Sequence, residues 1–532
     1  MGLKMKITDT LTEEETQAGL RAVILEGLAS QTVGTLAGGV FLIAFALKLG
    51  ASNLMVGILA AVLPLGQLIQ IPSVYIVEKY RTRRAITVYA LIMARIALLF
   101  IVFIPFLFSS NLGLVFLIIA MAVNSGFAAV SVCAWNPWMR DLVPQNQLGA
   151  FFSKRMSLAM MVAIPLSMVS GVYLDYWKKS FPNLEIYGYS FLFLFAFLVG
   201  TAGIYYLIIT PEPRMASCSK KPKFFNLIAE PFADRNFRNL TFFLGLWSFA
   251  TNLVIPFFTV YMLKRLQLNM SVVITLTVLS QMFNLAFLRT WGRLSDLFSY
   301  KSVLSINALL FAFCTLAWTF TTLPDRHLMT FPLLIVIHIL IGVSMAGYIL
   351  AADNLALKLA PRDKATAYLA TKNLVNSLSA GIAPIIGGRF ADFFTRYEFS
   401  WRLTLIGPQR GFNYQILNFE QLDFFFFFAF LIGLYAVYRL SMVREEGDVR
   451  GTVVLQALKS QMKGTLMSTA RYIRVQLLPN RPGYRPIAIE EGGYQPIAIE
   501  EIRFQPITVE DEVPAAIEEE GALTLGDPEK SD

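Results

Sequence analysis

Apolar residues along this chain gather into long runs separated by short polar punctuation, and no two-residue alternation persists through them. A helix rises about 1.5 Å per residue and the hydrocarbon core of a bilayer is about 30 Å thick, so one crossing takes roughly 20 apolar residues. Runs of that kind fall at 20–48, 53–77, 85–108, 112–138, 149–177 and 188–209, and again at 239–263, 270–292, 301–322, 330–353, 366–394 and 422–442. The alternation of a membrane barrel is absent, and a stretch such as Phe424 to Phe428 followed by Phe430 is too apolar for one. The pattern predicts an all-α polytopic membrane protein with twelve transmembrane helices. It divides the chain into an N-terminal segment (1–19), six helices (20–209), a central loop (210–238), six more helices (239–443), a basic amphipathic helix (444–481) and an acidic tail (482–532).

Composition agrees. Of the 532 residues, 56% are apolar and 15% charged, against about 25% charged in a soluble protein. That excludes an ordinary soluble enzyme. Cys133, Cys218 and Cys314 are scattered without ligand spacing, so neither a disulfide framework nor a metal site is expected, and no cofactor. No removable leader is expected either, because residues 1–18 are polar and acidic, and Lys6 breaks the myristoylation pattern after Met-Gly.

Orientation follows from where lysine and arginine fall in the short connections. Lys79, Arg81, Arg83 and Arg84 lie between runs two and three; Arg140, Lys154 and Arg155 between four and five; Arg214 to Arg238 in the central loop; Lys358, Arg362, Lys364 and Lys372 between ten and eleven. The alternate connections are poor in charge or balanced by acids. Both termini are therefore expected in the cytoplasm, with the protein in the plasma membrane. The net charge of +9 reads as a topology signal that meets lipid rather than nucleic acid. Residues 482–532 hold thirteen acids and three bases, a net of −10, which leaves +19 on residues 1–481.

The two sets of six helices repeat. Aligning Pro144 with Pro361 sets an offset of 217, at which Ala150 meets Ala367, Phe151 Tyr368, Arg155 Lys372, Gly171 Gly388 and Asp175 Asp392. After the eighth run the sequence Gly292-Arg-Leu-Ser-Asp296-Leu-Phe-Ser-Tyr-Lys301 resembles the Gly-x-Leu-x-Asp-x-x-Gly-x-Lys/Arg signature of the major facilitator superfamily. Its counterpart at 74–84 keeps Glu78 and the basic run without the glycine. The resemblance covers about residues 20–443 and implies two six-helix pseudo-repeats. It also implies a gating role for Glu78, Gly292, Asp296 and Lys301, with an ordinary topology loop as the plain alternative.

The resemblance further implies that helices 1, 4, 7 and 10 line a central cavity. On them stand Gln31, Asn124, Trp247, Thr251, Asn252, His338 and Tyr348, each equally readable as an interhelical hydrogen-bonding group. Glu26 is a candidate proton carrier, or else the partner of Arg21 or a loop cation. His338 is a titratable group or a neutral imidazole bonded to a carbonyl. Arg95, about 16 Å into its helix, attracts an anionic substrate or pairs structurally. The implied activity is secondary active transport of a small solute by alternating access, coupled to protons or another co-ion. The alternative is a membrane receptor or assembly factor of the same shape that binds without translocating. An enzyme is not expected. The tail repeats Tyr484-Arg-Pro-Ile-Ala-Ile-Glu-Glu491 at Tyr494 and, in varied form, at Phe504; it is a low-complexity extension or a motif shown three times to a cytoplasmic partner.

Overall fold

The computed structural model describes residues 7–8, 12–144, 147–215, 231–322, 327–361, 364–406 and 411–445. Twelve long helices order the described residues: α1 Glu13–Lys48, α2 Asn53–Tyr80, α3 Arg83–Leu107, α4 Ser110–Leu142, α5 Leu148–Ser180, α6 Pro182–Ile209, α7 Arg235–Arg265, α8 Met270–Leu297, α9 Tyr300–Phe320, α10 Thr330–Leu359, α11 Ala365–Phe394 and α12 Leu422–Ser441. Eleven are long and apolar enough to span a bilayer. The remaining one, α11, has the length (30 residues) but carries Lys372, Asn373, Asn376 and Arg389. The central-loop residues 216–230, the predicted amphipathic helix and the acidic repeats lie outside the described residues.

Local chemistry fixes the ends. Thr12 and Glu15 form a reciprocal capping box at the start of α1. Ser52, Asp234 and Ser299 cap α2, α7 and α9 through their side chains. Helix α7 closes in a π-turn, Tyr261–Arg265, a local widening that aims Lys264 and Arg265 away from the regular helical face.

The repeat seen in the sequence is a repeat of packing. In the first half α3 packs on α4 and α6, α1 on α5 and α6, and α2 on α4; in the second α9 packs on α10 and α12, α7 on α11 and α12, and α8 on α10. Between the halves the main seams are α2 with α11 and α5 with α8. One face of the bundle carries the α2–α3, α4–α5, α6–α7, α8–α9 and α10–α11 connections and is called the basic face here; the other is the opposite face.

Three expectations change. The segment 395–423, read as a loop, contains an antiparallel hairpin of β3 Glu398–Ile406 and β4 Gly411–Glu420, following a short parallel pair of β1 Ile7–Thr8 with β2 Glu212–Pro213. The Gly292 to Asp296 stretch is not a loop: α8 continues to Leu297 and α9 begins at Tyr300, so the basic residues of this signature sit on helix ends. Arg155, read as part of a connection, stands likewise within α5.

Candidate functional site: a cavity between the two halves

The opposite face is closed by two matching contacts. Asp175, near the end of α5, accepts hydrogen bonds from the Met270 and Ser271 amides at the start of α8, at 2.9 and 2.8 Å. Asp392, near the end of α11, accepts from the Asn53 and Leu54 amides at the start of α2, at 3.1 and 2.9 Å. A carboxylate on two free helix N-terminal amides satisfies orphan donors and lies at the positive end of the helix dipole. One turn before each aspartate stands a glycine that lets the partner helix come close. A Cβ on Gly171 would lie 3.2 to 3.4 Å from Ile274 and Ser271, and one on Gly388 only 2.4 to 2.8 Å from the Asn53 and Leu54 backbone. The repeated Gly-x-x-x-Asp is thus a latch used twice, each time fastening one half to the other. Lys264 on the π-turn adds a third link, donating to the Ala51 carbonyl.

The two latches differ in tightness, which gives a first expected result. Gly388→Ala must push backbone away and should loosen its latch strongly, whereas Gly171→Ala needs a shift of a few tenths of an ångström. Labelling of a reporter cysteine at Ser52 by an impermeant maleimide should rise clearly in the first variant and little in the second; equal labelling would remove the glycines from the latch.

Beneath the α5–α8 latch, towards the middle of the bundle, lies a cavity of about 390 Å³ lined by α1, α5 and α8, among them Gln31, Thr35, Ser167, Thr277 and Gln281. Its lining has no charged side chain. Ile274, which meets Gly171, forms part of the same wall.

Charge lies lower in the first half. Arg155 on α5 reaches Glu26 on α1 (Nη2 to Oε2, 2.9 Å) and the Val23 carbonyl, and its guanidinium lies over the Trp135 ring at 4.9 Å. Ser30 donates to the other Glu26 oxygen at 2.5 Å. Gly27 leaves the space for Arg155, since a Cβ there would lie 2.5 Å from Nε. Arg95 on α3 is 7% exposed, fits where Gly200 lacks a side chain, and is reached by the Glu26 charge. At the repeat-equivalent of Arg155, Lys372 pairs with Asp353 at 2.5 Å.

The other sequence candidates are dispersed. Asn124 donates to the Ala94 carbonyl within its own half. Trp247 is buried against Phe243, Phe311 and Tyr348. Thr251 and Asn252 bond to the backbone of their own helix at Trp247 and Ser248. His338 is buried beside Trp318, its Nδ1 2.8 Å from the Leu334 carbonyl. Gln31 alone of this set lines the cavity. Glu78 is half-buried on the basic side of α2, Gly292 has only Leu350 nearby, the Lys301 amide donates to Glu445, and the side chain of Asp296 is outside the described residues. Nothing in the sequence singles out Ser167 or Thr277, which share this wall with Gln281, and the repeat marks the aspartates without indicating what they touch.

The basic face holds a second matched pair, this one inside each half. Glu212 accepts from the Arg83 amide at the start of α3; Glu445 accepts from the Tyr300 and Lys301 amides at the start of α9. Burial pushes the Glu212 carboxyl above the usual carboxylate range, while the Arg83 and Arg84 amides and guanidiniums pull it back.

Similarity to known proteins now has a place to attach. The sequence pattern described as Major Facilitator Superfamily matches residues 240–408. The match lies within the second half of the chain, where the Gly292 signature also stands. Solved structures of this fold overlay most of the chain at low identity. A point-mutant form of the nucleoside transporter NupG is 11% identical with a TM-score of 0.63, covering 80% of this chain and 100% of that one. A bacterial homologue of the iron transporter ferroportin in an inward-facing state is 12% identical, TM-score 0.57, covering 81% and 99%. A D-xylose–proton symporter is 16% identical, TM-score 0.55, covering 81% and 98%. No curated protein sequence matches. In this fold the seams α2–α11 and α5–α8 join the two pseudo-repeats, and the two aspartate latches fasten both of them at the opposite face.

Proposed function

We propose that this protein is a secondary active transporter of the major facilitator superfamily that carries a small solute across the plasma membrane by rocking its halves about the cavity. The observation that carries the reading is the pair of Gly-x-x-x-Asp latches, placed on the seams between halves, one of them above an uncharged cavity: a receptor that never moved would have no use for fastening by releasable hydrogen bonds. The named activities of the fold neighbours, carrying nucleosides or xylose with a proton, support it. With the basic face cytoplasmic, as lysine and arginine placement argues, the described state is closed to the outside.

Glu26 and Arg155 are the proposed coupling pair. A carboxylate inside a bundle, held by one guanidinium and one hydroxyl, can exchange its ion pair for a proton when side chains shift within the first half, to which α1 and α5 both belong. Glu26→Gln mimics the protonated state. It is expected to retain exchange of internal for external solute while abolishing accumulation driven by a pH gradient; unaltered pH dependence would remove Glu26 from the proton path. Proteoliposomes offered nucleosides, pentoses and hexoses with and without that gradient test the whole reading. A solute that binds saturably but neither accumulates nor exchanges would favour a receptor.

A further inference from the structure

We propose that a break in α1 is the element that recognises the solute, and that the solute is uncharged and polyhydroxylated. This deepens the transport reading and rests on it.

Helix α1 is not continuous. Its first segment ends at Leu36 and its second begins at Gly39. Between them Ala37 and Gly38 leave the helix, Gly38 at φ −130°, ψ −171°, and Gly39 takes φ +49°, a backbone setting that favours glycine. The carbonyls of Gly34, Thr35, Leu36 and Ala37 lose their acceptance from residues four ahead, and the amides of Gly38, Gly39, Val40 and Phe41 lose their acceptors. Among the described residues no protein group replaces these four bonds. Ten residues from Gly39 to Lys48 span about 15 Å, half of the roughly 30 Å core, so the break lies near mid-membrane.

Irregular backbone at that depth is tolerated where it is buried in protein or lines a water-filled cavity, and here it is the second. Gly34, Thr35, Gly38, Gly39, Val40 and Phe41 all line the cavity described above. Facing the break are the Gln281 amide and the Thr277 hydroxyl of α8, with Gln31 on α1 itself. Every one of these groups is neutral. Donors alone would suit an anion, but the carbonyls of Gly34 and Thr35 stand in the same lining as the amides of Gly38, Gly39, Val40 and Phe41, and no cationic side chain joins them. A hydroxyl group donates and accepts through one atom, so a solute with several hydroxyls satisfies both kinds at once. A fixed charge would be desolvated here without a counter-charge. Because Thr277 and Ile274 belong to the helix that Asp175 holds, the solute touches the same element that shuts the opposite face.

The test is equilibrium binding to the full-length purified protein, with a panel of uncharged polyols, pentoses, hexoses and nucleosides set against the phosphorylated form of each. At least one uncharged member should bind saturably, and its phosphorylated form should bind at least tenfold more weakly. Gln281→Leu should weaken that binding at least tenfold. Gly39→Ala should do the same by straining the break. Gly34→Leu, which enters open space at ordinary backbone geometry and so should not perturb folding, should weaken binding by filling the cavity. Preference for a phosphorylated member, no binding of any uncharged one, or binding unchanged in all three variants overturns the assignment. Flux measured separately keeps the two readings apart: binding with these properties but without flux removes transport alone, and flux of a charged solute untouched by the variants removes this assignment alone.

Discussion

Asp175→Ala combined with Asp392→Ala is expected to open the face that these residues shut. Each carboxylate accepts two amide hydrogen bonds from the helix it caps. Loss of a helix cap typically costs about 0.5–2 kcal/mol, and hydrogen bonds to a charged acceptor contribute about 1.5–3 kcal/mol. The bonds cross between halves, so the loss falls on the closed state and not on the fold of either half. One substitution should shift the access equilibrium by roughly 5- to 100-fold, at about 1.4 kcal/mol per factor of ten. The two latches share no residue and should act additively. Spin labels on the opposite-face ends of α2 and α11, and of α5 and α8, would report longer distances in each single variant and longest in the double. Unchanged distance distributions in the double variant would mean that apolar packing along the seams holds the face shut. Asn at either position should be intermediate, since an amide has one acceptor oxygen and no charge.

Much of the architecture was legible because it rests on run length and periodicity. Twelve runs and a repeat at one offset place the helices and pair the halves. The repeat even picked out Gly171, Asp175, Gly388 and Asp392, yet it could not say what they touch. Their partners, the starts of α8 and α2, lie in the opposite half, and the distance along the chain carries no trace of that contact. The cavity was less legible. Trp247, Thr251 and Asn252 are polar enough to suggest a lining, but each is turned into its own half or bonded to its own helix, the commonest fate of a polar group in a bundle. The break in α1 left a signal that run length hides: Gly34, Gly38 and Gly39 in one apolar run, where each glycine costs about 1 kcal/mol of helix stability. The hairpin left one too, since alternation appears in Glu398–Ile406 and resumes from Gly411.

Arg83→Met is expected to be the most destabilising single change on the basic face, and the repeat explains why its counterpart is milder. Arg83 is 1% exposed; its guanidinium joins Asp141 and the carbonyls of Pro137 and Pro213, and its amide caps onto Glu212, itself 2% exposed. At the offset of 217, Arg83 becomes Tyr300 and Asp141 becomes Lys358. The second half therefore moves its cation from the third helix of the half to the fourth. Lys358 reaches Glu445 at 2.7 Å, and it does so with 42% of its side chain exposed. Removing one partner of a buried pair costs about 3–5 kcal/mol because the other charge stays behind unpaired, and Arg83→Met also removes the guanidinium bonds to the Pro137 and Pro213 carbonyls. Lys358→Met leaves Glu445 still holding the Tyr300 and Lys301 amides, so a cost of about 1 kcal/mol is expected for that largely solvated cation. Thermal unfolding in detergent should separate the two clearly, with Arg83→Met melting well below the parent and Lys358→Met close to it. Both pairs lie inside one half and should survive rocking, so neither variant should alter the spin-label distances at the opposite face. A shift there in Lys358→Met would show that the clusters on the basic face belong to the gate and not to the rigid frame that it moves.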